Sequence, residues 1–303
     1  MSMMRRILTT QPGKALRGGG RAFGLALALC FALPGAALLW PQGAQAQAAE
    51  GQVQSLNALT YLPETLEIMA QEGLIQGRDL GAEMFGNSDD PAWVLALARI
   101  FDAGRMQRLY DTALAEVLAQ DPSLIADVTP FLSSELGRRT LGLELEARRT
   151  ALDEIARGAA REVFAELEAT DPARRAQIER LVLSADLIES NVIAGLNGNV
   201  AFIRGMAEAG APGTRIDEGS LLAQVWSQEP QIRTDVADYL YPLMALAYAS
   251  LSDDELEAYV LFAESAEGRR FNAALTKAFE PLMIDLSRNL GLEAGRLMSG
   301  QVL

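Results

Sequence analysis

Apolar residues recur along most of the chain at intervals of three and four positions, the spacing of a helix that is buried on one side. Alternation with a period of two, which is typical of strands, is scarce after residue 46. Three Asp-Pro pairs each place a capping carboxylate before a proline that suits a first helical turn: Asp90-Pro91, Asp121-Pro122 and Asp171-Pro172. Ser252 and Glu255 have the spacing of a capping box. The pattern predicts an all-α protein.

The run FLSSELGRR at 131–139 returns as FAESAEGRR at 262–270, with Phe, Ser, Gly and two Arg at the same relative positions. Weaker similarity extends the match to 99–160 and 230–291, where apolar positions are shared at helical spacing. We interpret the match as an internal duplication, with halves near 50–165 and 180–296. We expect two tandem, diverged helical halves that form one bundle-like body of pseudo-twofold character, because each half is short for a core of its own.

Each copy of the motif is expected to form a corner between two helices. Asp121 and Ser252 would cap the first helix of the two copies at the same place. Phe131 and Phe262 would plug the core at the end of that helix, and the serine that follows would cap the next helix. The glycine would allow close approach of the helices. The two arginines lie on the helix flank, where they are either solvated or line an anion site.

The composition excludes several catalytic classes. The chain has no histidine, which removes the usual general base near neutral pH and the commonest ligand of transition metals. The single cysteine, Cys30, lies in the N-terminal apolar run, so a chain cut after that run has no thiol and no disulfide. Acid–base chemistry would then fall to Asp, Glu, Tyr, Arg and Lys277. We expect no metal, no cofactor and no catalytic site of the Ser-His or Cys-His type.

Residues 1–46 have the order of a secretory signal peptide. Five basic residues and no acidic one precede the apolar run AFGLALALCFALPGAALLW at 22–40, and AQA at 44–46 supplies a cleavage pattern. We expect cleavage after Ala46 and a periplasmic location. A membrane anchor formed by an uncleaved 22–40 stays open as the alternative, since 19 residues are just long enough to cross a bilayer.

The chain is strongly acidic, with a net charge of −14 for the whole sequence. Cleavage after Ala46 removes five of the 26 basic residues and none of the 40 acidic ones, which leaves 21 against 40 and a net charge of −19. We therefore expect no nucleic-acid partner and no binding to anionic lipid headgroups. The charge favours either solubility alone or a basic partner. No later apolar run reaches the length of a membrane span, so we expect none in the mature chain.

The segment LSDDELEAYVLFAESAEGRRFNAALTKAFEPLMIDL at 251–286 resembles the bacterial family called domain of unknown function 2059. In that family a capped helix ends in an aromatic residue, which is followed by Ser-x-x-Gly and by a second helix that carries a proline. Phe262, Ser265, Gly268 and Pro281 stand at these positions, whereas Thr150 replaces the proline in the first half. The resemblance implies an exported helical protein of unassigned activity and transfers no catalytic residue.

One pair of residues hints at an enzyme. Glu189-Ser190 has the order found on a helix of lytic transglycosylases, where a protonated Glu cleaves a glycan. The rest of that family's motif is missing, and aromatic residues for sugar stacking make up only 6% of the chain. The simpler interpretation is a polar strip on an amphipathic helix, whose other face carries Leu187, Ile188, Val192 and Ile193.

Two local predictions concern other features of the chain. The segment GLNGN at 195–199 is expected to interrupt the long helix that begins at Asp171, since Asn-Gly is a strong turn signal. Trp93 and Trp226 lie in apolar helical stretches and are expected in the core.

These observations favour a non-enzymatic helical protein of the bacterial envelope that binds a protein partner or acts as a scaffold or holdase. Two alternatives stay open: a carboxylate-based peptidoglycan hydrolase that uses Glu189, and a protein that binds an apolar ligand between the halves. An enzyme would need Glu189 or another acid in a cleft, with a pKa raised by burial. A scaffold would instead expose an apolar patch.

Overall fold

The computed structural model describes residues 42–214 and 217–300. Within these ranges the chain forms thirteen helices and no strand, which confirms the all-α prediction. The helices are α1 (Gln42–Leu59), α2 (Leu62–Phe85), α3 (Pro91–Ile100), α4 (Ala103–Gln120), α5 (Leu124–Leu132), α6 (Glu135–Thr150), α7 (Glu154–Thr170), α8 (Pro172–Ser184), α9 (Leu187–Glu208), α10 (Glu218–Trp226), α11 (Glu229–Tyr248), α12 (Asp253–Glu264) and α13 (Ala266–Met298).

The predicted signal segment lies almost entirely outside the described residues, and so does the apolar run at 22–40. Helix α1 begins at Gln42, so the predicted cleavage after Ala46 falls within its first two turns. Val53 and Leu56 of α1 belong to the core, and cleavage would leave both in place. None of the described helices is both long enough and apolar enough to cross a bilayer.

Most of the predicted helix starts are confirmed. Asp90 and Asp171 accept hydrogen bonds from backbone N–H groups in the first turns of α3 and α8. Ser252 and Glu255 form the complete capping box at the start of α12, where each side chain accepts a hydrogen bond from the other residue's backbone N–H. Local sequence alone therefore determines where these helices begin.

The prediction that Asp121 caps the first helix of its corner is wrong. Helix α5 begins three residues later, at Leu124, and Asp121 instead ends α4. The carboxylate of Asp121 accepts two hydrogen bonds from the guanidinium of Arg270, at 2.8 and 2.6 Å. The carboxylate thus forms a bidentate, charge-assisted contact with a residue distant in sequence instead of capping α5.

The predicted interruption at 195–199 is also wrong. The chain breaks earlier, after Ser184, and α9 runs without interruption through the Asn-Gly pair. Packing holds this segment in the helix. A Cβ on Gly198 would lie 3.0 Å from the hydroxyl oxygen of Ser287, and the buried Asn199 donates a hydrogen bond to Gln228 at 3.1 Å. Tertiary contacts override the local preference for a turn.

Helix α13 is the centre of the body. It is 33 residues long, lies along α9, and contacts α4 and α3 on its other sides. Glycines bring the backbones of α9 and α13 together: a Cβ on Gly291 would lie 2.0 Å from the carbonyl oxygen of Phe202, and one on Gly205 would lie 2.2 Å from that of Arg288. Any side chain at these two positions would force the helices apart.

The two corners of the repeated motif have the same geometry. Ser134 and Ser265 cap α6 and α13, and each hydroxyl accepts a hydrogen bond from the N–H three residues later, at 3.0 and 2.9 Å. A Cβ on Gly137 or Gly268 would lie 2.1 or 2.0 Å from the carbonyl oxygen six residues earlier. The serine caps and the close helix approach predicted from the motif are confirmed at both corners.

The two corners pack against each other. The rings of Phe131 and Phe262 stack with their centroids 3.8 Å apart and their planes 7° apart. Both phenylalanines pack against the core as predicted, but they are only half-buried. They also join one corner to the other.

Two arginines of the motif, one from each corner, bind residues of the other corner. Arg270, which follows the second corner, binds Asp121 at the end of α4 and Asp127 in the first turn of α5. Arg139, which follows the first corner, binds Glu255 and the carbonyl oxygen of Ser250 at the start of α12. The guanidinium groups are occupied by acidic residues of the protein, which disfavours the anion site that the sequence left open.

The halves share their core. The main cluster of buried apolar side chains includes Leu114 and Val128 from the first half together with Phe202 and Leu286 from the second. One continuous body therefore accounts for the described residues better than two lobes. Duplication itself stays a prediction, because α6 ends at Thr150 and α7 follows, whereas α13 continues unbroken through Pro281.

Gly291→Ala is expected to lower the free energy of unfolding by ~1–3 kcal/mol, because the new Cβ would meet the Phe202 carbonyl and separate α9 from α13. Gly158→Ala is the matched control, since Gly158 lies within α7 with no other group within 4 Å of a Cβ. That alanine should stabilise the protein by ~0.5–1 kcal/mol. Urea unfolding followed by circular dichroism measures both changes. Equal effects at the two positions would contradict the close approach.

Arg270→Gln is expected to destabilise the protein at neutral pH and to lose this effect in acid. Hydrogen bonds from Arg270 hold the pKa of Asp121 and Asp127 below the usual range. A depressed pKa stabilises the fold above the unfolded-state value, about 3.9, and this contribution disappears as the pH falls through the folded-state value. The stability difference between wild type and variant should therefore be constant above about pH 5 and shrink below about pH 4.

Arg269→Gln is the control for this pH dependence. Arg269 donates to the carbonyl oxygen of Glu264, which does not titrate, so its effect on the free energy of unfolding should not vary between pH 7 and pH 3. Urea unfolding across this pH range measures both variants. A pH-independent effect of Arg270→Gln would refute the proposed ion-pair contribution.

Candidate functional site

A surface groove lies where the start of α9 meets the end of α10 and the start of α11. It encloses about 280 Å³. Its apolar lining includes Val192 and Leu196, which are buried, and Pro230. Three charged residues also line it, and the sequence had singled out one of them, Glu189.

Trp226 forms one wall of the groove and is 59% exposed, so the prediction that it belongs to the core is wrong. Helix α10 is nine residues long and buries Leu221 and Val225. The residue after Val225 points about 100° away from it around the helix, which carries the indole out of the core. Trp93 confirms the same prediction at its own position: it is fully buried, and its indole N–H donates to the carbonyl oxygen of Gly77 at 2.9 Å.

Ile193 adds a second exposed apolar side chain to the groove. It is 45% exposed, whereas its neighbour Val192 is buried. Ile193 lies four residues after Glu189 and therefore on the same side of α9. The prediction that Ile193 shares the buried face of the helix is wrong, and the polar strip of α9 carries an apolar residue that faces solvent.

Arg233 holds two carboxylates at the polar edge of the groove. It donates hydrogen bonds to Glu189 and to Glu229, each at 2.6 Å. The hydrogen bond to Glu189, and then the one to Glu229, raises the pKa of Arg233. Glu229 and Arg233 are four residues apart on α11, an arrangement that favours a helical ion pair. One guanidinium faces two carboxylates, so the edge carries a net negative charge.

The position of Glu189 follows from the start of α9. Asp186 has a left-handed backbone with φ of 53°, and Glu189 lies in the first turn, where the helix dipole favours an acidic side chain. The same arrangement occurs at α2, where Tyr61 has φ of 52° and Glu64 lies in the first turn. A Glu three residues after a left-handed residue is therefore explained by helix geometry at both places.

The groove lacks the features of a glycan-cleaving site. Such a site needs a protonated acid in apolar surroundings. The partner of Glu189 is instead the cation of Arg233, and the side chain of Glu189 is exposed. The described residues also contain no group of three or more His, Cys, Asp or Glu side chains that could hold a metal ion.

A second polar cluster, which the sequence did not suggest, ties the two predicted halves together. Glu144 on α6 accepts hydrogen bonds from the hydroxyls of Tyr248 and Tyr259, at 2.6 and 2.7 Å. Burial, and then the nearby Glu144 carboxylate, raises the pKa of both tyrosines well above the usual value. The hydroxyls therefore remain protonated donors at neutral pH, which suits a structural contact between α6 and the pair α11 and α12.

Sequence reasoning missed most of the groove, although parts of it left a trace. The spacing of Glu229 and Arg233 suggests an ion pair, but no sequence feature places that pair beside Glu189. The exposure of Trp226 depends on how the short α10 rests on α9, which is a tertiary property. Comparison of the chain with family models, with curated proteins and with solved structures gives no match.

Proposed function

We propose that the protein is an exported, non-enzymatic helical protein of the bacterial envelope, and that it binds a protein partner through the groove of α9, α10 and α11. The observation that carries this proposal is the exposed Trp226 beside an apolar floor. Tryptophan is enriched at the centre of protein interfaces, because it buries a large apolar area and still offers one polar N–H. A buried position would have been the default for a residue of this size.

A neighbouring residue extends this surface. Leu222 lies four residues before Trp226, on the same side of α10, and is also exposed. Trp226 and Ile193 line one groove, which distinguishes them from single exposed apolar residues such as Ile155 on α7. A partner that covers the groove would remove both side chains from water.

Export rests on the sequence pattern of residues 1–46, with its basic start, its apolar run and its AQA cleavage pattern. The resemblance to the domain of unknown function 2059 family agrees with export and adds no activity. The residues that carry this resemblance include Phe262, Ser265 and Gly268, and packing, capping and close helix approach account for them. Family membership stays a proposal.

The two alternative functions find less support. The peptidoglycan hydrolase would use Glu189, which lies in the groove but is paired with Arg233. The apolar-ligand alternative needs a pocket between the two halves. A pocket does lie there, between residues 151–161 and 238–246, but its volume of about 20 Å³ is too small for such a ligand. Binding at the groove therefore explains its geometry better than either alternative.

A photo-crosslinking amino acid at position 226 is expected to give adducts of discrete mass in living cells. The same amino acid at position 155 is the control, because Ile155 is more exposed than Trp226 and lies outside the groove. Position 155 meets solvent at least as well as position 226, so adducts found only at position 226 require a partner bound there. Gel shifts of the full-length gene product measure the adducts. Identical adducts at both positions, or none at position 226, would contradict the proposed binding surface.

Purified protein incubated with peptidoglycan is expected to release no muropeptides, because Glu189 lacks the apolar surroundings of a glycan-cleaving acid. Chromatography of the soluble fraction measures the release, with wild type and Glu189→Gln compared side by side. The variant keeps the size of the side chain and removes its charge. Release by the wild type that disappears in Glu189→Gln would overturn the non-enzymatic proposal.

A further inference from the structure

We infer that the groove accepts an arginine or lysine side chain from a basic segment of another protein. This inference rests on the proposed binding function and adds the chemistry of the partner. Three properties of the groove lead to it: an unbalanced pair of carboxylates, an exposed indole and an apolar floor between them.

The first property is charge. Arg233 uses two N–H groups to reach one oxygen of Glu189 and one oxygen of Glu229. The second oxygen of each carboxylate receives no hydrogen bond from the part of the chain that the structure describes. Two carboxylates and one guanidinium leave one negative charge unbalanced. A second cation would complete the pairing and would gain charge-assisted hydrogen bonds to the free oxygens.

The second property is the shape and chemistry of the floor. Ile193 and Pro230 provide apolar surface above the buried Val192 and Leu196, and Trp226 provides the exposed ring of an indole. Arginine and lysine side chains bury their aliphatic stems on apolar surface while their cationic ends stay polar. A guanidinium or ammonium group also binds favourably over the ring of tryptophan. The groove therefore suits both parts of one long basic side chain.

The size of the groove suits one long side chain. Its volume of about 280 Å³ is at the lower end of the range of pockets that hold a small-molecule ligand, ~300–1,000 Å³.

The net charge of the chain indicates which class of macromolecule the groove would attract. The net charge of the chain is −14, and cleavage of the predicted signal would make it −19 by removing only basic residues. A second copy of the chain would carry the same excess and be repelled, and so would nucleic acid and anionic lipid. A basic protein segment would be attracted, and its association rate would rise.

Three fluorescein-labelled peptides of twelve residues test the inference. They carry leucine at the same four positions and serine at four others, and the remaining four positions hold arginine, glutamine or glutamate. Fluorescence anisotropy measures the binding of each peptide at physiological salt. The Debye length is then about 8 Å, so long-range electrostatic attraction is limited. We expect the arginine peptide to bind the protein about tenfold more tightly than the glutamine peptide, and the glutamate peptide to bind most weakly.

Variants of the groove locate the binding. Glu189→Gln combined with Glu229→Gln should weaken the arginine peptide about tenfold, and Trp226→Ala should also weaken it. Glu64→Gln combined with Glu67→Gln is the control: it removes the same charge from exposed positions of α2, and Glu64 holds the same first-turn position as Glu189. That control should change the affinity by less than about twofold.

Arg233→Met is expected to change the affinity for the arginine peptide in the opposite direction. It leaves both carboxylates without their cation, so the arginine peptide should bind more tightly than it does to the wild type. Circular dichroism establishes that each variant is folded. This variant also keeps the inference testable if the double glutamine variant fails to fold.

Each remaining outcome overturns the inference. Equal affinity for all three peptides, lost in Trp226→Ala, would make the groove a binding site without charge selection and would leave the proposed function intact. If the double variants of the groove and of α2 weaken peptide binding equally, the attraction depends only on the overall charge of the protein. Binding of no peptide would exclude a basic segment, while crosslinking from position 226 would still test the groove independently.

Discussion

The close approach of α9 and α13 is the constraint on which the rest of the structure depends. Gly205 and Gly291 let the two backbones touch, because a Cβ at either position would lie within about 2 Å of a carbonyl oxygen of the other helix. Helix α13 is thereby held at the centre, with α3 and α4 on its other sides. The same helix α9 carries Glu189 and Ile193 of the groove in its first two turns. The contact between two buried backbones thus fixes a helix that forms part of a surface site.

The contact between the two corners is the second feature that organises the fold, because each corner supplies side chains that bind the other. Each corner has its own serine cap and its own close glycine, so each forms from local sequence. The stacked phenylalanines and the crossing arginines then join the corners. Exposed ion pairs contribute little singly, but Arg270 contacts two carboxylates and a hydroxyl in one geometry. The second arginine of each copy thus binds acidic residues of the other corner, and the first donates to a backbone carbonyl oxygen of its own corner.

Features that depend on neighbouring residues were predictable from the sequence, and features that depend on distant residues were not. The caps at Asp90, Asp171 and Ser252 lie within three residues of the N–H groups that they bind. Asp121 has the same local sequence signal but binds a partner 149 residues away. The Asn-Gly pair in α9 and the exposure of Trp226 likewise depend on which helix packs alongside. The candidate site is formed mainly by residues that lie far apart in the sequence. The sequence therefore indicates only Glu189 as a site residue.

The order of the helices along the chain has a consequence for folding. Helix α13 lies at the centre of the body and is the last helix of the described chain to be synthesised. Until it emerges, α9 has no partner for its glycine face and Asp121 has no partner for its carboxylate. Contacts that close so large a loop form late, and the apolar faces that await them stay open to aggregation. The nascent chain therefore stays incompletely folded until α13 is made.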